Sequence, residues 1–221
     1  MLQRRGDGAV ATLLYRIHCW PADVIGDDRA IFAPLGTTST PLTRYAMLES
    51  TMDNLLLAAS AASADLPIAL SNGWRYGAPI PAGPITGDGR LEHCPSEAAG
   101  VCRDVDRVPS YTVCTRRTPR RPSHVMQWKQ RGGYVQRCRG LELAVKLENP
   151  SGERIQEIRI DGTRLRANAS YKVAFLGEQA VPSEYGSDRQ HTGVSAVDAL
   201  RQYVTSRDVV ASDIVGSVTL V

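Results

Sequence analysis

The segment 69–80 constrains the fold most, because an apolar element ends there abruptly in polar and flexible residues. The short apolar run 67–70 predicts a buried β-strand. The polar residues 71–73 end this strand, and Gly73 and Gly77 flank the loop that follows. A glycine allows positive φ angles and lets a ligand approach the main chain closely. The sequence therefore predicts a buried strand that leads directly into a loop suited to ligand binding.

Three side chains of this loop, Asn72, Trp74 and Arg75, have the chemistry of molecular recognition. Asn offers a donor and an acceptor together, Arg offers a rigid cationic fork, and Trp offers a flat face for stacking. Such groups directly after a buried strand suit a planar, anionic ligand. The alternative interpretation is a tight turn whose aromatic rings pack against a neighbouring element.

A second loop, 176–189, also follows a predicted strand and carries an aromatic residue beside polar groups. Tyr185 lies between Pro182 and Gly186, so the backbone there is stiff enough to present the ring. Stacking of an aromatic ring on a nucleobase contributes about 1–3 kcal/mol. Tyr185 is therefore a candidate stacking residue, and the alternative is that it covers the neighbouring strands.

The composition is that of an ordinary globular protein. The chain has 221 residues, of which 43% are hydrophobic and 22% charged, enough for one large domain or two small ones. No apolar run approaches the length of a membrane span, so we expect no membrane partner. The apolar patch 9–15 is short and has no cleavage site, so we predict no signal peptide, and the compartment stays open.

Motifs for catalysis or metal binding are missing from the sequence. The five cysteines contain no C-x-x-C pair, which argues against a zinc site and a disulfide framework. The four histidines do not occur at metal-ligand spacings. There is no G-x-S-x-G elbow and no phosphate-binding P-loop motif. We therefore predict neither catalytic nor metal-ligating residues in this chain, and no cofactor.

Positive charge is concentrated in one part of the chain. Residues 88–131 contain eight Arg and one Lys against two Glu and three Asp, a net charge of +4, whereas the whole chain carries +3. Residues 88–125 show no sustained helical or strand period, so we expect them to be poorly ordered. The Arg-rich part, 103–131, leaves open a nucleic-acid contact, although a confined charge is not typical of nucleic-acid binders.

Two segments have helical patterns. Residues 46–62 place apolar side chains on one face, with Ser50 or Thr51 as the N-cap and Asp53 near the positive end of the helix dipole. Residues 195–206 begin with a Ser-x-x-Asp sequence that resembles a capping box.

The remaining order is predicted as strands joined by turns and loops. Alternating apolar residues predict an antiparallel meander with strands at 141–147, 155–160 and 171–175. A final strand is predicted within 209–221, a polar turn at 37–41 and an extended loop at 78–87. Together these elements predict an α+β fold, a mixed β-sheet with the two helices packed on it.

Four blocks of the sequence resemble the C-terminal domain of the 5′-nucleotidase family. That family includes UDP-sugar hydrolases, cyclic-phosphodiesterase/3′-nucleotidases and related sulfur-oxidation proteins. The segment from Glu49 to Leu55 is similar to the family's E-x-x-M-G-N-L helix start, and the Asn-Gly loop ending in Pro79-Ile80 is similar to its substrate loop. The blocks occur in the family's order and cover about two thirds of the chain; they are 35–55, 69–80, 132–174 and 181–200.

This resemblance implies a division of labour between two domains. In the family, an N-terminal metallophosphatase domain holds two divalent metals and performs the hydrolysis. The C-terminal domain binds the base and sugar between two aromatic rings, and a hinge carries the substrate to the metals. Here residues 35–221 would be the second domain and residues 1–34 a remnant of the interdomain connection. Members of the family are usually periplasmic or extracellular.

The resemblance also assigns residues. Asn72 matches the family's loop Asn, and Tyr185 lies where its second stacking ring is found. The family places an Arg where this chain has Gly77, with Arg75 nearby, and another where it has Ala46, with Arg44 nearby. Residues 88–125 resemble nothing in the family, which a shifted reading frame over that stretch would explain.

The functional prediction is a substrate-recognition domain. By resemblance it binds a nucleotide or similar ligand through Asn72, Trp74, Arg75, Tyr185 and Arg44, and it needs a metallophosphatase domain for hydrolysis. Nucleosides, nucleotide sugars and a thiosulfate-carrier peptide remain open as ligands. The alternatives are a stand-alone hydrolase with an unrecognised site and a nucleic-acid contact through residues 103–131.

Overall fold

In the computed structural model, residues 34–221 form one compact unit. The described residues are 33–46, 48–72, 77–87, 135–150, 153–166, 169–177, 180–181 and 187–221, together with the backbone of 98–103. Because residues 1–32 lie outside these ranges, the division into 1–34 and 35–221 stays a prediction.

The described residues form two helices and eleven strands. Helix α1 comprises Thr51–Ala64 and helix α2 comprises Ala196–Thr205. The strands, in chain order, are β1 Pro34–Thr38, β2 Ala69–Ser71, β3 Gly83–Thr86, β4 Ala98–Arg103, β5 Arg137–Arg139, β6 Glu142–Val145, β7 Ile155–Ile160, β8 Thr163–Arg164, β9 Val173–Leu176, β10 Ser187–Ser195 and β11 Val218–Leu220.

A five-stranded mixed sheet with the order β10-β4-β9-β2-β5 positions the candidate site. Strands β2 and β9 are parallel neighbours, with Ser71 opposite Leu176. Strand β5 is antiparallel to β2 and begins at Arg137, which pairs with Ser71. The ends of β2 and β9 and the start of β5 therefore meet at one side of the sheet, which we call the carboxyl edge.

A four-stranded sheet with the order β11-β6-β7-β8 packs against the five-stranded sheet. Its strands β6 and β7 are antiparallel, while β11 joins β6 in parallel at the edge. Apolar side chains of both sheets form a shared core, in which Leu70 and Phe175 meet Leu143 and Ile158. Full burial of such a side chain contributes about 1.5–3 kcal/mol.

A second apolar cluster joins the two helices. Leu55 and Leu56 of α1 pack with Leu200 and Val204 of α2, and Leu176 of the five-stranded sheet belongs to the same cluster. Nearly every residue of α1 from its second position to position 61 is buried, so this helix is enclosed by the rest of the domain.

Both predicted helices are confirmed. Ser50 is the N-cap of α1 and accepts a hydrogen bond from the Asp53 amide at 3.3 Å. Ser195 caps α2 in the same way, accepting from the Asp198 amide at 3.1 Å. Helix α1 begins at Thr51, later than the periodicity from residue 46 indicated, because the cap and not the apolar pattern sets the first turn.

The predicted meander is wrong in its third strand. Strand β9 does not join β6 and β7 in the four-stranded sheet. It pairs with β2 and β4 in the five-stranded sheet. Its four residues are all buried, as befits an interior strand of a sheet that is covered on both faces. Strand β7 is instead followed by the short partner β8. Local alternation identified a strand here, but it does not encode the strand's partner.

Several strands occupy segments that the sequence predicted to be turns, loops or aperiodic. Strand β10 begins within the predicted loop 176–189 and runs to Ser195; it is an edge strand with a mostly exposed and polar sequence, so it lacks apolar alternation. Strands β1 and β3 pair in a small sheet rich in Gly and Pro. Strand β4 lies within 88–125, and the rest of that stretch lies outside the described residues. Of the predicted strand in 209–221, β11 occupies Val218–Leu220.

Candidate functional site

The carboxyl edge brings together the starting points of the two predicted ligand loops. Strand β2 ends at Ser71 and leads into the first loop, while β9 ends at Leu176 and leads into the second. Because these residues are paired in parallel register, both loops start side by side. In open α/β sheets, ligands bind outside the carboxyl ends of parallel strands. The sheet therefore offers a common origin for one site built from both loops.

Asn72 is the first residue after β2, and it is held firmly. It is 5% exposed, and its main-chain carbonyl accepts hydrogen bonds from Arg44 Nη2 at 3.1 Å and from Ser71 Oγ at 3.2 Å. Because the peptide unit is planar, these two donors fix the direction in which the chain leaves the strand.

Arg44 supports this loop from inside the protein. Its side chain is fully buried; Nε donates to Asp53 Oδ1 at 2.7 Å, and Nη2 lies 2.5 Å from the same oxygen. One guanidinium thus joins a carboxylate of α1 to the carbonyl of Asn72. The observed contacts are those of a support, and the direct contact of Arg44 with a ligand stays a prediction.

The second oxygen of Asp53 joins the site to strand β5. Asp53 Oδ2 accepts from Arg137 Nε at 2.9 Å and from Ser50 Oγ at 2.6 Å. Arg137 Nη2 also donates to the carbonyl of Ala46. Buried charges are strongly unfavourable unless they are paired and hydrogen-bonded, and all three charged side chains here are at most 1% exposed. We call Arg44, Asp53 and Arg137 the Asp53 network.

A second buried carboxylate at the start of α1 serves another part of the chain. Glu49 accepts hydrogen bonds from Asn54 Nδ2 at 2.6 Å and from three consecutive amides, those of Val215, Gly216 and Ser217, at 2.8–3.0 Å. Burial raises the pKa of Glu49, but these donors lower it more, so that its pKa lies below the ordinary value. Glu49 therefore anchors the segment that precedes β11.

The beginning of the second loop is held from two sides. Gln136, directly before β5, donates through Nε2 to the carbonyl of Ala180. Arg189 of β10 donates through Nη2 to the carbonyl of Val181 at 2.7 Å, and its guanidinium lies 4.5 Å from the centre of the Phe175 ring. The chain that leads toward Tyr185 is thus tied to the neighbours of β9.

Three of the five predicted ligand residues, Trp74, Arg75 and Tyr185, lie outside the described residues. Asn72 and Arg44 are described, and the structure brings them into contact. The Arg-rich segment 103–131 also lies outside, apart from the backbone of Arg103 at the end of β4.

Other chemical groups in the described ranges do not point to catalysis. Burial raises the pKa of the Cys138 thiol to about 12, so it carries almost no thiolate at neutral pH. Within the described ranges, no three His, Cys, Asp or Glu side chains lie close enough together to hold a metal ion. Among the same residues, no helix is long and apolar enough to cross a membrane.

A small pocket lies between the two sheets, on the far side from the carboxyl edge. It is lined by apolar side chains and one tyrosine, from the beginnings of β2 and β9 and from the four-stranded sheet: Ile68, Leu70, Leu141, Ile160, Leu165, Tyr171 and Val173. It lacks the polar groups that would orient a nucleotide. The pocket therefore belongs to the core and not to the candidate site.

Sequence reasoning missed most of the Asp53 network. Asp53 was interpreted only as a partner of the helix dipole, and Arg137 was not singled out. One signal was present: α1 has no charged residue between Asp53 and Asp65 and is rich in Ala and Leu. A helix of that composition is enclosed on most sides, so a carboxylate in its first turn needs buried cationic partners.

The described residues define the class of domain before any relative is considered: an α+β domain in which two loops start from adjacent parallel strands. No protein-family model and no curated protein sequence matches the chain. Solved structures do match it, and they include a 5′-nucleotidase precursor, a sulfate thiohydrolase and an NAD nucleotidase.

The matches cover nearly all of this chain and a minor part of each neighbour. The 5′-nucleotidase precursor of Thermus thermophilus has a TM-score of 0.69 and 21% identity, over 96% of this chain and 42% of that one. Sulfate thiohydrolase SoxB of Thermus thermophilus, in complex with glycerol, has a TM-score of 0.71 and 22% identity, over 88% and 36%. The NAD nucleotidase of Haemophilus influenzae has a TM-score of 0.65 and 10% identity, over 97% and 41%.

These matches confirm the predicted resemblance and the α+β fold class at the level of the fold. The chain spans about two fifths of the length of the structures it matches, as a match to one domain of those proteins does. At these identities the likeness concerns the fold, and ligand and activity need arguments from this chain's own residues.

Proposed function

We propose that this chain is the ligand-recognition domain of a 5′-nucleotidase-type protein. It binds a nucleotide or a similar anionic ligand at the carboxyl edge, through Asn72, Trp74, Arg75 and Tyr185. The observation that supports this most is the parallel pairing of β2 with β9, which starts both candidate loops from adjacent positions. Arg44 takes part as the buried support of Asn72.

The proposed residues combine aromatic rings that can stack with polar and cationic groups that can bind an anion. Trp74 and Tyr185 offer ring faces, and stacking contributes about 1–3 kcal/mol per base. Arg75 offers a planar fork of donors to a phosphate or other anion. Asn72 offers a donor and an acceptor beside them. Such a set binds a planar group that carries negative charge.

We further propose that bond cleavage takes place in a separate metallophosphatase domain with two divalent metals. The support is the fold match to 5′-nucleotidase-type structures, of which this chain spans about two fifths. In such an arrangement this domain delivers the ligand and performs no bond cleavage itself.

A sulfur-bearing ligand is the second candidate, because the departures from the family weaken the case for a nucleotide. Gly77 and Ala46 occupy positions where the family has Arg, so two cationic groups that nucleotidases have are missing from their usual places. The chain also resembles the fold of a sulfate thiohydrolase. A thiosulfate group on a carrier peptide is the corresponding ligand.

Nucleic-acid contact through residues 103–131 and stand-alone hydrolysis are less well supported. No residue among the described ranges adds to either of them. Salt-sensitive binding of DNA would favour the first. Hydrolysis of AMP or UDP-glucose by the isolated chain with divalent metal would favour the second.

Thermal-shift measurements test the proposal. The chain is mixed with AMP, UMP, UDP-glucose or a thiosulfate-modified peptide, and the midpoint of unfolding is compared with that of the free protein. We expect at least one ligand to raise the midpoint, and Tyr185→Ala to abolish the rise. Tyr203→Ala is the matched control, because Tyr203 belongs to α2 and not to either loop segment, and its ring stacks on Arg207. A rise that survives in Tyr185→Ala, or no rise with any ligand, contradicts the proposal.

A further inference from the structure

We propose that Asp53 is a positioning residue, which controls ligand affinity by holding the exit of β2 through Arg44. This inference rests on the proposed function, because it assumes that the loop after Asn72 contacts the ligand. It adds a residue to which the sequence resemblance gives no role in the site.

The side chain of Arg44 connects Asp53 directly to the start of the loop. Arg44 Nε and Nη2 both approach Asp53 Oδ1, at 2.7 and 2.5 Å, and Nη2 also donates to the Asn72 carbonyl at 3.1 Å. A guanidinium can do this because its donors diverge in one rigid plane. A lysine ammonium keeps the charge but lacks that fixed fork. Arg44→Lys therefore separates the charge from the geometry.

The position of Asp53 is itself fixed from the opposite side. Its other oxygen accepts from Ser50 Oγ at 2.6 Å and from Arg137 Nε at 2.9 Å. Arg137 is the residue of β5 that pairs with Ser71, the last residue of β2. The carboxylate of Asp53 thus holds the Asn72 carbonyl through Arg44. It also holds strand β5 through Arg137, next to the end of β2. A change at Asp53 is therefore transmitted to the loop exit by two routes.

A purely stabilising role explains this arrangement less well. Well-packed apolar residues often replace a buried ion pair without loss of stability, so burial of three charges is poor evidence of stability alone. Fully satisfied polar networks instead fix directions that apolar contacts leave adjustable. In this domain the fixed direction is that of the main chain at Asn72.

Amide hydrogen exchange of the ligand-free full chain tests the inference. Asp53→Asn and Arg44→Lys are compared with Asp198→Asn and Glu49→Gln. The first control removes the equivalent exposed cap charge, and the second removes a buried charge that anchors 215–217 instead. After each variant's loss of global stability is taken into account, we expect exchange in segment 69–80 of Asp53→Asn and Arg44→Lys to rise about tenfold more than exchange in strands β6 and β7.

The results can overturn the inference in two ways. A rise of equal size in Glu49→Gln, or a uniform rise over the whole domain, would mean that Asp53 is merely structural. If Asp53→Asn fails to fold, Arg44→Lys decides, because it retains the charge next to Asp53.

Ligand affinity provides the second readout, measured by calorimetry with the nucleotide AMP well below each variant's unfolding temperature. We expect Arg44→Lys to weaken binding about tenfold, while Glu49→Gln keeps the wild-type affinity despite its lower stability. Equal weakening in both variants contradicts the inference. If wild type binds no AMP, the nucleotide form of the proposed function fails, and the exchange measurement still decides whether Asp53 holds Asn72.

Discussion

The two helices of this domain begin with the same local motif and use it differently. In α1, Ser50 Oγ lies 2.6 Å from Asp53 Oδ2 and accepts from the Asp53 amide at 3.3 Å. In α2, Ser195 Oγ lies 2.7 Å from Asp198 Oδ2 and accepts from the Asp198 amide at 3.1 Å. The hydrogen-bond distances of the two caps are therefore nearly the same.

The surroundings of the two carboxylates differ completely. Asp53 is fully buried and lies between Arg44 and Arg137, whereas Asp198 is exposed. Local sequence therefore determines where each helix begins, and tertiary packing determines whether the capping carboxylate has a second role. Only the buried cap is connected to the edge where the ligand loops start.

The largest expected difference is in the free energy of unfolding, between the variant that removes the charge of Asp53 and the variant that removes the charge of Asp198. Asp53→Asn replaces a carboxylate that faces two buried guanidinium groups with an amide that also presents donors to them. We expect a loss of about 3–5 kcal/mol in the free energy of unfolding, because one member of a buried ion pair is removed. Asp198→Asn should cost about 0.5 kcal/mol, since it is exposed. Urea denaturation at neutral pH measures both, and similar losses would invalidate the comparison.

Glu49 is a buried carboxylate that anchors residues 215–217, and Glu49→Gln removes its charge. We expect a loss of about 1–3 kcal/mol near neutral pH, because charge-assisted hydrogen bonds to 215–217 are weakened. The pKa of Glu49 is lowered on folding, so its contribution is present above about its ordinary value of 4.5 and is lost as pH falls through the folded pKa.

The difference in stability between wild type and Glu49→Gln should therefore be largest near neutral pH and shrink as the solution becomes acidic. Denaturation curves at a series of pH values measure this difference. A difference that stays constant below pH 4.5 would show that the carboxylate form of Glu49 does not provide the stabilisation.

Removing the hydroxyl of each cap residue also compares the buried cap with the exposed one, and we expect smaller losses of stability. Ser195→Ala should cost about 0.5–1 kcal/mol, as expected for loss of a helix N-cap. Ser50→Ala should cost about 1–2 kcal/mol, because it also removes a hydrogen bond to the buried carboxylate of Asp53. Thermal unfolding of the two variants under identical conditions provides the comparison. Equal costs would mean that burial adds nothing to the cap of α1.

Salt should change the stability cost of the substitution at the exposed Asp198 but not at the buried Asp53. The charge of Asp198 interacts favourably with the dipole of α2, and we expect high salt to reduce the cost of Asp198→Asn by about 0.3 kcal/mol. The cost of Asp53→Asn should be insensitive to salt, because water and ions do not reach it. Denaturation at low and high ionic strength measures both effects. A salt-sensitive Asp53 would indicate that the Asp53 network is open to solvent.

The helices, their caps and the strand before Asn72 were predictable from the sequence because they depend on neighbours in the chain. Ser50 and Ser195 each precede an Asp by three positions, and this local motif determined both helix starts. The apolar run before Ser71 likewise identified β2.

The strand partners and the Asp53 network were not predictable, because they depend on contacts distant in sequence. The apolar run at β9 gives no sign that its partners are β2 and β4 instead of β7. The ion pair between Asp53 and Arg137 spans 84 residues and leaves no local periodicity. Charged side chains are mostly exposed in proteins, and both members of this pair are exceptions.

Mapping a bound ligand onto the backbone amides tests the central claim, that the ligand binds where β2 and β9 end. A uniformly ¹⁵N-labelled chain is titrated with AMP or UDP-glucose, and amide shifts are followed by NMR. The account predicts that the largest shifts occur at Asn72 and Gly177, at the starts of the two loops, and at Gly77, at the end of the first loop. Shifts centred on Ile68 and Leu141, at the opposite end of β2, would contradict it.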